Sequence, residues 1–299
     1  MNMIYKKIIK IIAFFMLLLL AASCSEDKYE FVYFSTKDGN PNLYITDSDT
    51  TFSKRITDNP NFVYSPSWHP DGNKVLFTHF TRTGSDLFVV DVNTLETIQL
   101  TTTPQKEISG SFSPDGSQIV FTSEMDTPSR EIYIMNSDGT EIKRLTVNNV
   151  YEGSPSFSPD GESIIFTRQY INPDSTQNQN GELVLMEIST GKESRLTDTE
   201  EFEGLGVFSP DGGKIAFHRC FGTRCDIFVM NAEGSDETNL TKGIDDNRWP
   251  QWSPDGKYIA YTRVAGSNSE IWMMKFDGSE KRLIVSSTGR DETAVFKPN

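Results

Sequence analysis

Apolar residues recur along this chain in short runs of three or four, and the runs come in pairs. Val75-Leu76-Phe77 precedes Leu87-Phe88-Val89-Val90, and Ile119-Val120-Phe121 precedes Ile132-Tyr133-Ile134-Met135. Ile164-Ile165-Phe166 leads to Leu183-Val184-Leu185-Met186, Ile215-Ala216-Phe217 to Ile227-Phe228-Val229-Met230, and Ile259-Ala260-Tyr261 to Ile271-Trp272-Met273-Met274. Such runs predict strands, and because consecutive positions are apolar, both faces of each strand must be covered. A short polar segment follows each pair, for example Lys143-Arg144-Leu145-Thr146 and Ser194-Arg195-Leu196-Thr197, which suits a solvent-facing outer edge.

Between one pair and the next stands an aromatic residue followed by a turn: Trp68-His69-Pro70-Asp71-Gly72, Phe112-Ser113-Pro114-Asp115-Gly116, Phe157-Ser158-Pro159-Asp160-Gly161, Phe208-Ser209-Pro210-Asp211-Gly212 and Trp252-Ser253-Pro254-Asp255-Gly256. Proline presets φ, aspartate bonds nearby backbone and glycine accepts a positive φ. A degenerate sixth copy, Phe296-Lys297-Pro298-Asn299, ends the chain, and the successive prolines are 44, 45, 51, 44 and 44 residues apart. A period near 44 residues with four strands in each, here lettered a to d, predicts the blades of a β-propeller.

The two ends predict how the ring closes. Phe31-Val32-Tyr33-Phe34, Leu43-Tyr44-Ile45-Thr46 and Lys54-Arg55-Ile56-Thr57 supply strands b, c and d with no strand a before them, while Thr293-Ala294-Val295-Phe296 supplies a strand a with nothing after it. One blade is therefore expected to be shared between the termini, giving an all-β fold of six four-stranded antiparallel blades with no exposed sheet edge.

The phrase Phe-Ser-Pro-Asp-Gly, then a strand, then Ile132-Tyr133-Ile134-Met135-Asn136-Ser137-Asp138-Gly139-Thr140, resembles TolB-like propeller repeats across nearly the whole chain after residue 30. The repeated residues belong to turns and core, so the resemblance implies fold rather than activity. The small amino-terminal α/β domain of TolB has no counterpart in this reading, which sets the chain apart from TolB itself. Similar propellers occur in front of peptidase domains and within oligogalacturonate lyases, and that resemblance would imply an enzyme.

The first residues read as a secretory signal. Lys6, Lys7 and Lys10 form a basic stretch and Ile11 to Leu20 is apolar, shorter than the roughly 20 residues that span a bilayer. Leu20-Ala21-Ala22-Ser23-Cys24 resembles a bacterial lipobox, which implies acylation of Cys24 and lasting membrane attachment. The domain reading is a signal peptide over 1–23, an anchored linker over 24–30 and the propeller over 31–299. Ser25-Glu26-Asp27-Lys28 resembles the acidic export signal of some surface lipoproteins, so an outer-membrane position, periplasmic or surface-exposed, is expected.

Charge narrows the partners. The net charge is −14, and removing the three signal lysines takes it to −17, so nucleic acid is not an expected partner. A protein or glycan of the cell envelope is, with the membrane reached through the lipid anchor and the chain acting as a monomer.

The loops joining d to a and b to c share one face, and function gathers on such loops. Five residues before the aromatic of each strand a stand Val63, Glu107, Glu152, Glu203, Asn247 and Asp291, four of them acidic. Two residues after the last aromatic of each strand b stand Thr36, His79, Ser123, Arg168, Arg219 and Arg263. One expectation makes Glu107, Glu152, Glu203 and Asp291 a cation or amine ring, and Arg168, Arg219 and Arg263 a docking arc for carboxylates, since the guanidinium fork binds carboxylate bidentately. The plainer one, which is favoured, pairs Glu152 with Arg168 and Glu203 with Arg219 as exposed cross-strand partners worth only ~0.2–1 kcal/mol.

Blade four carries a b–c loop, Gln169 to Gly181, about six residues longer than its neighbours, and it lies beside the arginine arc. Cys220 and Cys225 flank a short hairpin and are expected to form a disulfide. His69, His79 and His218 are scattered, no metal or cofactor site is expected, and no nucleophile elbow or phosphate-binding loop occurs. The functional expectation is a non-enzymatic binding lipoprotein of the envelope. The alternatives are a polysaccharide-active enzyme of the lyase type using His79, His218 and the arginine arc, and a Tol–Pal-like accessory.

Overall fold

The computed structural model describes residues 28–58, 61–82, 84–126, 129–171, 179–243 and 245–299. The expected signal segment with Cys24, and the centre of the long fourth b–c loop at 172–178, lie outside the described residues.

The described residues form 24 β-strands and no helix. Those after residue 30 run in chain order as β1 (Glu30–Ser35), β2 (Asn42–Asp47) and β3 (Ser53–Arg55); β4 (Val63–Trp68), β5 (Lys74–Phe80), β6 (Ser85–Asp91) and β7 (Thr97–Gln99); β8 (Glu107–Phe112), β9 (Gln118–Ser123), β10 (Glu131–Asn136) and β11 (Lys143–Arg144). Then come β12 (Glu152–Phe157), β13 (Ser163–Ile171), β14 (Gln179–Glu187) and β15 (Glu193–Arg195); β16 (Phe202–Phe208), β17 (Lys214–Phe221), β18 (Arg224–Asn231) and β19 (Thr238–Asn239); β20 (Asp246–Trp252), β21 (Tyr258–Ala265), β22 (Asn268–Lys275), β23 (Arg282–Val285) and β24 (Asp291–Phe296).

These strands build an all-β propeller of four-stranded antiparallel blades. Four sheets stand separately, β24-β1-β2-β3, β4 to β7, β8 to β11 and β20 to β23, whereas β12 to β19 form one eight-stranded sheet. The expectation of six separate blades is corrected to that extent. Gly181 of β14 pairs in parallel with Phe202 of β16, the single bridge that joins the two halves among the described residues; parallel bridges of the same kind, Ser85 with Lys106 and Ser269 with Arg290, stand at two other blade junctions. A Cβ at Gly181 would stand 2.5 Å from the Phe202 ring, so only glycine allows that approach.

Alternation along the inner strands explains the apolar runs. In β13, Ile164 and Phe166 pack with Val120, Ile132 and Phe157 on one side, while Ile165 packs with Leu183, Ile215 and Phe217 on the other. All three β13 residues are fully buried, each worth ~1.5–3 kcal/mol of transfer free energy. The outer strands β3, β7 and β15 are exposed at every position, as a solvent-facing edge should be. At the seam between the termini, β24 pairs antiparallel with β1, Phe296 opposite Phe31 and Asp291 opposite Ser35.

The aspartate turns form as their residues dictate. Ser113, Ser158, Ser209 and Ser253 donate to the aspartate two residues on, whose Oδ1 also accepts the backbone N–H two residues further. These bonds hold Asp115 down at about 2, and in Asp255 they outweigh burial to the same effect, also at about 2.

Two repeated devices were not visible in the hydrophobic pattern. A threonine just past the outer strand, Thr57, Thr101, Thr146, Thr197 or Thr241, accepts the backbone N–H of strand c at 2.8–3.0 Å. Its hydroxyl in turn donates to Asn42, Asp86, Glu131, Glu182 or Asp226 at the start of that strand. In addition, every strand a is bulged, and the bulge residue lies in the left-handed region: Ser65, Ser109, Ser154, Leu205, Trp249 and Thr293 have φ between 52° and 56°. Thr78 and Thr262 on strands b accept the N–H of Ser109 and Thr293 in the next blade, each at 3.1 Å, which fixes the strained backbone from outside.

Candidate functional site at the mouth of the channel

The bulged strands line a central channel. Residues of β4, β8, β12, β16, β20 and β24 all contribute to one cavity of about 170 Å³, whose wall includes Ser67, Ser109, Ser111, Ser154 and Ser156. A larger recess of about 640 Å³ opens on the face that carries the d–a and b–c connections. Ser154, Leu205 and Trp249 belong to both walls, so recess and channel are neighbours.

A missing side chain opens one side of the recess. At the position after each buried strand-a start stand Tyr64, Ile108, Gly153, Gly204, Arg248 and Glu292. Gly153 leaves open space there, and Gly204 lets the Phe202 and His218 rings close in over it. Nothing lies within 4 Å of where a Gly153 Cβ would be, so that side is open. Tyr151, Phe202 and Trp249 form aromatic walls, and Lys106, Arg130 and Arg248 bring cations. Lys106 and Arg130 both lean on Glu124, at 3.4 and 3.2 Å, and Arg248 donates to Asp246 at 2.8 Å.

His218 forms part of the recess wall. It faces Gly204 across the β16–β17 pair, where the corresponding strand-b residues elsewhere are Thr78, Thr122, Thr167 and Thr262, and Phe34 in the blade shared by the termini. It is 7 % exposed, burial lowers its pKa to about 3, and its Nδ1 has no hydrogen-bond partner among the described residues. The imidazole is therefore neutral, able to donate at one nitrogen and accept at the other. Thr167 Oγ1, on the same wall, is buried without a partner as well.

The residues singled out from sequence fall into three groups. Glu152 and His218 line the recess. Glu107, Glu203 and Asp291 are fully buried and tie the d–a loops to strand b or its surroundings: Glu107 accepts from Thr103 and Ser123, Glu203 from Thr199 and Arg219, and Asp291 from Ser35 and the Ser287 N–H. Burial raises the pKa of Glu107, Glu152 and Asp291, and takes Glu203 up to about 7. They latch the loops and do not form an open ring for a cation.

Arg168 and Arg219 are each held by two carboxylates. Arg168 contacts Glu152 at 2.5 Å and Glu193 at 2.6 Å, and Arg219 contacts Glu203 at 2.5 Å and Glu237 at 2.8 Å. The cross-strand partners are those expected, in direct register, but the expectation that such pairs are exposed is corrected: the glutamates are buried because the d–a loop folds over them. Arg263 turns to Asp245 at 3.0 Å and lies over the Trp272 ring, because its register partner is Asn247 rather than an acid. His79 packs edge-on against Phe88, with burial lowering its pKa. The three arginines and two histidines thus do not converge on one pocket. Cys220 and Cys225, directly opposite in the β17–β18 hairpin, are joined by a disulfide.

Sequence reasoning missed Lys106, Tyr151, Phe202, Arg248 and Trp249. The signal was present in the repeat alignment, one residue past the position that was counted, where glycine at 153 and 204 interrupts a column of large side chains.

The model of the TolB beta propeller domain matches residues 10–177 and 171–299. Among solved structures, TolB from Acinetobacter baumannii is 24% identical with a TM-score of 0.76, over 91% of this chain and 67% of that one. A TolB structure from Agrobacterium tumefaciens is 19% identical with a TM-score of 0.71, over 91% and 94%. An oligogalacturonate lyase in complex with manganese is 14% identical with a TM-score of 0.56, over 86% and 73%. At these identities the likeness is one of fold. No curated protein matches the chain. With the family's model covering both halves of a chain whose turns, bulged inner strands and paired termini build a propeller, the protein belongs to the TolB β-propeller domain family.

Proposed function

We propose that this protein is a non-enzymatic lipoprotein of the cell envelope, anchored through acylated Cys24, whose propeller holds a protein or glycan partner at the channel-mouth recess. The eight-stranded sheet is read as two blades, since a single residue pair joins its halves and both β12 and β16 line the channel; the ring then has six. The observation that carries the functional reading is the recess itself. It draws its wall from consecutive blades, is open at Gly153, and sets Tyr151, Phe202 and Trp249 beside Lys106, Arg130 and Arg248. Concave pockets of that size with a few convergent polar groups are where small ligands, or a protruding group of a larger partner, are held.

An outer-membrane position follows from the lipobox resemblance and the acidic residues after Cys24. Metabolic labelling with a palmitate analogue, comparing the natural chain with Cys24→Ser, tests the anchor; equal labelling of both would overturn it. Affinity capture from envelope extracts, comparing the natural chain with Gly153→Leu, tests the site. A partner held equally by both removes the recess from the reading.

A further inference from the structure

We propose that the propeller meets the membrane through its aspartate-turn face, where Phe52, Leu95, Ile142 and Phe276 touch a zwitterionic lipid bilayer and leave the recess opening away from it. This rests on the reading of Cys24 as the anchor. That residue lies four positions before Lys28, a length of chain that spans at most ~14 Å. Lys28 pairs with Asp47 at 3.0 Å, and the neighbouring Tyr29 hydroxyl donates to Asp255 of an aspartate turn at 2.9 Å, so the chain joins the propeller on the turn face. From there β1 runs toward the opposite face over six residues, about 20 Å. A tether that short holds the turn face nearest the lipid.

The c–d turns share this face with the aspartate turns. Ser48, Val92, Ser137 and Phe276, each just past a strand c, donate their backbone N–H to Tyr29, Asn73, Ser117 and Lys257, each just before a strand b, at 2.8–3.0 Å. These turns expose large apolar side chains: Phe52 at 39%, Leu95 at 46%, Ile142 at 39% and Phe276 at 47%. They belong to the four sheets that stand separately, which are consecutive around the ring because shared cores join each to the next. The tether leaves from one of those four. In the two c–d turns of the eight-stranded sheet stand Ser189-Thr190-Gly191 and Glu233-Gly234-Ser235, with no exposed large apolar residue. Ile98, Val147, Phe221 and Leu283 are exposed elsewhere, but on no common element. Single exposed apolar residues are ordinary; their recurrence at one turn of successive sheets, on the side where the anchor emerges, marks a contact surface. The recess draws nothing from β1 to β7, so it lies on the other face and across the ring from the tether.

Charge selects the lipid. Glu96 and Glu141 adjoin Leu95 and Ile142, while Lys28, Lys275 and Lys297 are engaged by Asp47, Glu280 and Glu30. What the face offers is therefore apolar contact rather than attraction to anionic headgroups.

The test uses the acylated full-length chain, floated on vesicles of phosphatidylethanolamine and phosphatidylcholine that include a lipid with a nitroxide on its headgroup. A fluorophore is carried on one introduced cysteine at a time: Ile142→Cys on an apolar tip, Thr190→Cys on the same face across the ring, and Glu200→Cys on the recess face, all exposed positions. Cys220 and Cys225 are bonded to each other and do not label. Quenching at the Ile142 position is expected to exceed that at Thr190 by about twofold or more, with the Glu200 position unquenched. Leu95→Ser combined with Phe276→Ser should bring the Ile142 position down to the level of Thr190 at unchanged melting temperature, and adding phosphatidylglycerol should lower it as well. Equal quenching at the Ile142 and Glu200 positions, equal quenching at Ile142 and Thr190, indifference to the paired serine changes, or quenching that phosphatidylglycerol leaves unchanged or strengthens would each overturn the inference. A natural chain that does not float with the vesicles overturns the anchor and this inference together. A chain that floats with no difference among the three positions overturns the inference alone and leaves the anchor standing.

Discussion

Gly204 lies against His218: a Cβ at Gly204 would stand 2.9 Å from the imidazole Nε2 and 3.0 Å from Cε1, with the Phe202 ring at 2.8 Å. Gly153, at the same register one blade earlier, has open space instead, and neither glycine has a positive φ. The two therefore predict opposite results for the same substitution. Gly204→Ala overpacks a closed corner and is expected to cost ~1–3 kcal/mol. Gly153→Ala adds a methyl to open space and, by restricting the unfolded chain, should be neutral or stabilise by ~0.4–1 kcal/mol. Urea unfolding of the two variants separates these outcomes, and equal destabilisation would contradict the recess.

The two faces of the propeller predict a stability maximum in mild acid. On the face of the aspartate turns, Asp71, Asp115, Asp160, Asp211 and Asp255 are all held below their ordinary value of 3.8, Asp115 and Asp255 at about 2. Their contribution is complete above 3.8 and is lost as pH falls through about 2. On the opposite face burial raises Glu107, Glu152, Glu203 and Asp291, and Glu203 reaches about 7 from 4.5. In that case the folded state binds more protons than the unfolded one, so stability is highest below 4.5 and declines as pH rises through about 7. Melting temperature measured from pH 3 to pH 8 should peak at about pH 4, where neither loss has begun. Glu203→Gln, which cannot ionise, should flatten the decline above the peak; an unchanged profile in that variant would remove Glu203 as its source.

Thr197 predicts the worth of the repeated threonine. Its Oγ1 accepts the Leu183 N–H at 3.0 Å and donates to Glu182 at 2.7 Å, all within the buried interior. Valine fits there sterically, since Val285 occupies the corresponding place at the end of β23, opposite Ile271. Thr197→Val thus changes hydrogen bonding with little change of volume, and leaves a backbone donor and a carboxylate short of partners. The expected cost is ~1–3 kcal/mol by chemical denaturation. Thr197→Ser should recover most of it, and a Val variant as stable as the natural chain would show the hydroxyl to be idle.

The parts of the fold legible in the sequence are those written as local chemistry repeated at a fixed period. Pro-Asp-Gly must turn, Ile164-Ile165-Phe166 must be covered on both faces, and a strand b without a strand a must find one elsewhere. What escaped depends on contacts between blades. The bulge at Leu205 or Trp249 has no residue signature, because the left-handed backbone there is imposed by packing around the channel rather than by glycine. Similarly, Glu152 and Arg168 read as an exposed pair because nothing in their own strands reveals that the d–a loop closes over them and that Glu193 completes the clamp. The recess was missed for the converse reason: it is opened by an absent side chain, and a census of charged residues does not register glycine.

The seam at the termini gives the most severe prediction. Phe296 packs against Tyr29 and Phe31 at ring-centroid distances of 5.5 and 6.1 Å, Trp68 Nε1 donates to the Val295 carbonyl at 3.0 Å, and Ser35 donates to Asp291 at 2.6 Å. Phe296→Ala alone removes a buried ring and should cost ~3–5 kcal/mol, a fall in melting temperature on the order of 10 °C for a domain of this size. Deleting Asp291 to Asn299 removes all three ties and exposes the edge of β1, so the loss should exceed that of Phe296→Ala and broaden the transition as the ring opens. Because β24 is also one of the six strands that line the channel, the deletion must alter the channel wall even where other blades stay folded. Calorimetric melting of the two variants beside the natural chain decides the matter: a truncated chain that melts like the natural one would mean that β1 does not need β24 and that the ring is not held shut at its ends.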